Sequence, residues 1–299
     1  MKRRDFLTVT AASAAGAGPG RFGMDRISFI TDEAAASPNE AIEFGKKYGL
    51  RWVELREVPG AGRHYAELTA TECKVAAQQL RDAGLRVSFF NSAGMKYALP
   101  GTDPVGAVRL RPGWRERAQR EWEGRLEALR RNIAIAQAFD VQTLRVFSFA
   151  RVAEPAKLLP RIADALGEMA EIAGREGMML LVENEASCNV STCAELAELM
   201  KWLPEKTVGI NWDANNGQSA KERPFPEGYA LLPKGRIRNV HMHGRTLLDP
   251  DKRLDWRAIF AALVADGYQG CAGLETHYFD GTKIEKSHLC MNELLRLTA

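Results

Sequence analysis

Short, largely apolar runs recur along the chain, and nearly all are followed by a stretch with helical spacing of apolar positions. The run from Met178 to Glu185 (MMLLVENE) sets the pattern. Apolar at every position from Met178 to Val182, it reads as a strand covered on both faces, as in a parallel sheet flanked by helices. Eight such runs begin near residues 26, 51, 86, 143, 178, 207, 237 and 271. Ser37-Pro38-Asn39-Glu40, Thr69-Ala70-Thr71-Glu72 and Thr192-Cys193-Ala194-Glu195 read as capping boxes that open helices. Gly49, Gly84, Gly177 and Gly267 stand where a helix must end left-handed and turn into the next strand. A helix through Arg125 to Ala138 and another with Leu159, Ile162, Leu166, Met169 and Ile172 on one face fill two crossovers. A last helix over Ile284 to Leu297 closes the series. This cadence predicts an α/β protein, a single (β/α)8 TIM barrel over residues 24–299. An open doubly wound sheet would be expected to carry a glycine-rich phosphate turn after its first strand, and none is present.

Several strands finish in groups able to do chemistry. Glu183, Asn184 and Glu185 follow MLLV, Asp213 ends VGINWD, His241 and His243 end IRNVHMH, and Glu275 and His277 end CAGLETH. The carboxyl ends of parallel strands are where such folds hold ligands. A single acid at a strand end commonly caps the next helix. Four successive strands ending in a carboxylate or an imidazole instead suggest one oxygen-rich metal site. Such an oxygen-rich site suits Mn2+ or Mg2+, with Co2+ or Zn2+ able to substitute.

One connection exceeds a simple link. From Asn91 to about Trp122, with Tyr97 and Trp114 inside it, the chain is expected to form a lid over the barrel mouth, its aromatics walling a small polar ligand. The alternative is a packed excursion serving stability or contact between copies in a homo-oligomer.

Composition changes this picture little. With 41 basic and 38 acidic residues the formal charge is +3, without the concentrated basic excess of a nucleic-acid binder. No run approaches the roughly 18 apolar residues of a membrane span. Cys73, Cys188, Cys193, Cys271 and Cys290 form neither a disulfide framework nor CxxC zinc pairs, and read as buried thiols. The N-terminus is more telling. Arg3-Arg4-Asp5-Phe6-Leu7 precedes an Ala-rich run and an Ala12-Ser13-Ala14 triplet, which reads residues 1–23 as a twin-arginine-type signal and the protein as exported to the periplasm. A disordered tail on a cytoplasmic protein, or a start at Met24, is the alternative.

From about Met24 onward, LVENE, VGINWD, RNVHMHG and GYQGCAGLE resemble the xylose-isomerase-like superfamily, in particular its sugar phosphate isomerase/epimerase branch. The resemblance implies a divalent metal held by Glu183, Asp213, His241 and Glu275, and a small carbohydrate substrate. It also implies Glu183 and Glu275 as the acid/base pair, abstracting a proton beside a carbonyl and returning it through a metal-stabilised enediolate. The chain departs from the family pattern around the substrate. Asn216 replaces a His three residues after the Asp, His243-Gly244 replaces Lys-Asp, and Glu185 replaces a His. Those positions, with Arg245, are expected to contact substrate, and they count against the familiar ketohexoses and hydroxypyruvate. Abasic-site endonucleases of the superfamily need several further His ligands, whereas this chain has five His in all, with His64 and His288 outside the motifs. A related lyase, or a sugar-binding subunit without catalysis, completes the alternatives.

Overall fold

The computed structural model describes residues 21–299. Eight parallel strands form one sheet: β1 Ile27–Phe29, β2 Trp52–Leu55, β3 Arg86–Gly94, β4 Thr143–Val146, β5 Met179–Glu183, β6 Val208–Asp213, β7 Ile237–His243 and β8 Ala272–Glu275. The hydrogen-bonded order runs β1-β8-β7-β6-β5-β4-β3-β2, and a parallel bridge between Ile30 and Glu54 closes β1 onto β2. The molecule is therefore a single (β/α)8 barrel. Among the described residues eleven α-helices occur, in chain order: α1 Thr31–Ala34, α2 Pro38–Lys47, α3 Ala70–Asp82, α4 Trp114–Ala138, α5 Leu159–Arg175 and α6 Cys193–Met200, then α7 Ala214–Ser219, α8 Tyr229–Leu231, α9 Gly244–Leu248, α10 Trp256–Ala265 and α11 Lys283–Thr298. None of the described helices is long and apolar enough to cross a membrane.

Two cores result from the period-2 alternation of strand side chains. Outward residues such as Val182, Ile210, Trp212, Val240 and Met242 are buried beneath the helices. α5 presents Leu159, Ile162, Leu166 and Met169 to that layer. Inward residues include Ser28, Glu54, Asn91, Arg145, Asn211, Asn239 and His241, so the barrel's inside is polar. Register aligns the functional strand ends: Glu183 lies beside Asn211, Asp213 beside His241, and His243 beside Glu275.

The local signals act as their chemistry requires. Thr69 and Thr192 form reciprocal capping boxes with Glu72 and Glu195. Ser37 accepts from the Glu40 backbone, but the Glu40 carboxylate turns to the amide of Ala36, leaving that box half-formed. Gly49, Gly84, Gly177 and Gly267 all adopt positive φ, between 64° and 76°. The five cysteines carry free thiols, and all but Cys271 are buried.

The expected lid is shorter than its sequence suggests. β3 runs on to Gly94, and α4 begins at Trp114, eleven residues before the helix expected from Arg125, so only residues 95–113 form the connection. The early turns of α4 carry Arg115, Glu116, Arg117, Arg120 and Glu121 with Ala118 alone buried, so no apolar stripe announced them. Tyr97 is buried edge-on against Phe149, with ring centroids 5.4 Å apart, and Trp114 packs on the small cluster of Ala98, Ala118 and Ala150. Both aromatics thus serve packing.

Candidate metal centre

At the carboxyl ends of β5 to β8, Glu183, Asp213, His241 and Glu275 are all buried, and one ligating atom from each lies within 4.8 Å of the others. His241 Nδ1 stands 3.3 Å from Glu183 Oε2 and 3.4 Å from Glu275 Oε2. Each flanking glutamate is backed by an arginine. Arg145, rising from β4, places Nη1 3.2 Å from Glu183 Oε2, and Asn211 Nδ2 donates to the same oxygen at 2.5 Å. Arg56, just beyond β2, donates to Glu275 Oε1 at 2.9 Å and also binds Asp32 and Glu33. The two glutamates differ in one respect. Glu183 Oε1 has no hydrogen-bond partner among the described residues, whereas both Glu275 oxygens are flanked, Oε1 by Arg56 and His277 and Oε2 by the two imidazoles.

Asp213 is held from two sides. The Asn216 amide donates to Oδ1 at 2.8 Å, and His243 Nε2 lies 2.8 Å from Oδ2. His243 is also 3.5 Å from Glu275 Oε2. The structure therefore gathers His243 with the four candidate ligands. Asn216 is buried and reaches Asp213 through its main chain. Glu185 sits at the rim, where Lys96 Nζ reaches Oε2 at 2.8 Å. Arg245 is exposed, its guanidinium 5.5 Å from the Tyr278 ring centroid and apart from the carboxylate cluster.

Charge explains the titration of these groups. Burial pushes the Glu183 carboxyl up, but Arg145 and His241 outweigh it and bring it down to about 2. Burial also opposes ionisation of Glu275, yet His241, His277, His243 and Arg56 hold it well below the usual carboxylate range. Asp213 goes the other way, raised by burial and by the charges of Glu183 and Glu275 against the pull of His243. Burial disfavours the charged form of His243, and Asp213 more than compensates, pushing the imidazole up to about 9.

The donor set fits a divalent cation. Three carboxylates converge with the His241 imidazole in a buried site, and like charges so close repel strongly unless a cation lies among them. Several residues of the site carry no recognised motif. Arg145 interrupts the apolar run TLRVF, and Asn211 and Asn239 each precede a ligand by two positions, on the same inward face. A polar residue inside an otherwise apolar strand was the available signal. Arg56 and Lys96 lie beyond strand ends and bore no such mark.

The family model for the xylose isomerase-like TIM barrel matches residues 42–294, and the chain belongs to that family. Among solved structures, 3-keto-D-glucoside 4-epimerase from E. coli aligns with a TM-score of 0.63 and 16% identity over 91% of this chain and 98% of that one. The probable 3-DHS dehydratase involved in petrobactin synthesis from Bacillus anthracis aligns at 0.67 and 15%, over 92% and 99% of the two chains. The IOLI protein, solved with a zinc atom, aligns at 0.64 and 15%, over 91% and 98%. At these identities the likeness is one of fold. No curated protein matches the sequence.

The raised His243 predicts how the metal-free protein responds to alkali. A group whose pKa rises from 6.5 to about 9 on folding contributes stability that is complete below 6.5 and lost as pH climbs through 9. Glu183, lowered from 4.5 to about 2, contributes above 4.5 and loses its share towards 2. Melting in chelator should give a midpoint that falls between pH 6.5 and 9, and His243→Gln should flatten that slope. A wild-type midpoint level across that window would contradict the assignment.

Proposed function

We propose that the protein is a divalent-metal-dependent isomerase or epimerase acting on a keto or aldo sugar or polyol. The observation that carries this reading is the convergence of Glu183, Asp213, His241 and Glu275 at the mouth of a barrel whose family is established. Mn2+ or Mg2+ suits so oxygen-rich a donor set, with Co2+ or Zn2+ as substitutes. When bound, such an ion supplies Lewis-acid polarisation of a carbonyl.

The chain's own groups supply the rest. Glu183 Oε1, without a hydrogen-bond partner among the described residues, is the oxygen best placed to take a proton from the carbon beside the carbonyl. Arg145 and Asn211 hold the other oxygen, fixing the carboxylate's orientation. Glu275 stands across the cluster, steadied by Arg56, and serves as the partner that returns a proton. Removal on one face and return on the other is epimerisation, while return to the neighbouring carbon is isomerisation. His243, Glu185 and Lys96 line the substrate side with donors and acceptors for hydroxyls. Loss of a β-hydroxyl after the same abstraction would make the protein a lyase, a reading favoured by the dehydratase that shares this fold.

Conservative Glu183→Gln and Glu275→Gln changes keep shape and a ligand oxygen but remove the base. With metal content matched, each should lower solvent deuterium exchange into substrate carbon by roughly a hundredfold or more, the scale of a lost general base. Wild-type exchange in either metal-loaded variant would remove that residue from proton transfer. A screen of keto and aldo sugars by the same exchange identifies the substrate.

We further propose export in folded form through Arg3-Arg4-Asp5-Phe6-Leu7, a motif outside the described residues. The ligands come from four strands spread over the sequence from Glu183 to Glu275, so the site exists only after folding. Fractionation and sequencing of the mature N-terminus should find a periplasmic protein beginning near Ala15. A cytoplasmic protein beginning at Met1 or Met24 would overturn export.

A further inference from the structure

The inward face of β2 ends in Glu54, a carboxylate with no exposed surface and no part in the ligand cluster. Four side chains from three strands saturate it. Ser28 Oγ donates to Oε1 at 2.9 Å and Asn239 Nδ2 to the same oxygen at 3.2 Å, while Asn91 Nδ2 at 2.9 Å and His241 Nε2 at 2.8 Å face Oε2. The fold makes room for it. A Cβ at Gly273, on β8, would lie 2.0 Å from Glu54 Oε1, so that position admits only glycine while Glu54 stays where it is. Asn91 turns its amide nitrogen to Glu54 and leaves Oδ1 buried without a partner, a cost the carboxylate imposes on it.

Resting on the metal-site reading above, we propose that Glu54 is the positioning residue that makes His241 a ligand through Nδ1. A carboxylate accepting from Nε2–H fixes that tautomer and turns the Nδ1 lone pair outward. Nδ1 is the nitrogen that faces Glu183 and Glu275. The neighbouring amides agree. Asn239 spends its two N–H groups on Glu54 Oε1 and Asn211 Oδ1, which obliges Asn211 to turn its own nitrogen to Glu183 Oε2 and to His241 Nδ1, 3.2 Å away. A nitrogen that receives an amide N–H is an acceptor, and an acceptor is what a cation needs. All four partners of Glu54 donate, so an amide in its place must set at least one N–H against another.

The test measures Zn2+ affinity of the full chain by competition with a chelator. Glu54→Gln should weaken binding by about 10- to 100-fold, the usual effect of removing such a partner. Gly273→Ala, which drives the carboxylate from its seat, should weaken it in the same direction. Long-range 15N–1H spectra of the zinc-loaded wild type should find His241 protonated at Nε2 and metallated at Nδ1, a readout that a merely structural role would not fix and that needs no variant to fold. Affinity of folded Glu54→Gln within twofold of wild type, or zinc on Nε2, overturns the assignment. A wild type that takes up no divalent ion at all overturns the metal-site reading and this inference together, and is distinguished from failure of Glu54 alone by the wild-type titration.

Discussion

The constraint on which the molecule depends is the confinement of carboxylates inside one barrel mouth. Glu54, Glu183, Asp213 and Glu275 are buried there, with Asp32 and Glu33 beside them. Burying a charge is tolerated only when it is paired or hydrogen-bonded. Arg145 answers Glu183, Arg56 gathers Asp32, Glu33 and Glu275, and imidazoles stand against Asp213 and Glu54. Asparagines at the inward positions of β3, β6 and β7 supply the remaining donors. The strands can deliver these groups because their outward faces bury apolar residues such as Val182, Ile210, Trp212, Val240 and Met242. Helices packed on that layer hold the register that sets Asp213 beside His241 and His243 beside Glu275.

Two arginines and two imidazoles do more than neutralise. Their placement holds the two glutamates unequally, leaving Glu183 Oε1 open among the described residues and both Glu275 oxygens engaged. A base needs an unengaged lone pair aimed at its proton, and an anchored carboxylate makes the better fixed ligand. The two glutamates singled out by family resemblance thus differ in their surroundings in this chain.

Much of this was legible in the sequence because it is written in local signals. The strand runs, the glycines at 49, 84, 177 and 267, and the complete capping boxes at Thr69 and Thr192 each act within a few residues, and each is found as expected. Strand-end acids were equally visible, since MLLVE and VGINWD place the carboxylate where apolar character stops. What escaped depends on distance in sequence. Arg56 meets Glu275 across 219 residues and Glu54 meets His241 across 187, and neither pairing leaves a spacing to read. The early turns of α4 escaped for another reason: a solvated helix with Ala118 as its sole buried residue there has no stripe.

The proposed metal site joins Glu183, Asp213, His241 and Glu275 from four strand ends. Elemental analysis of the purified protein beside Asp213→Ala, with circular dichroism to confirm that the variant folds, tests it most directly. The account predicts one divalent ion per chain in the wild type and its loss from a folded Asp213→Ala. Full metal stoichiometry in that variant would contradict it.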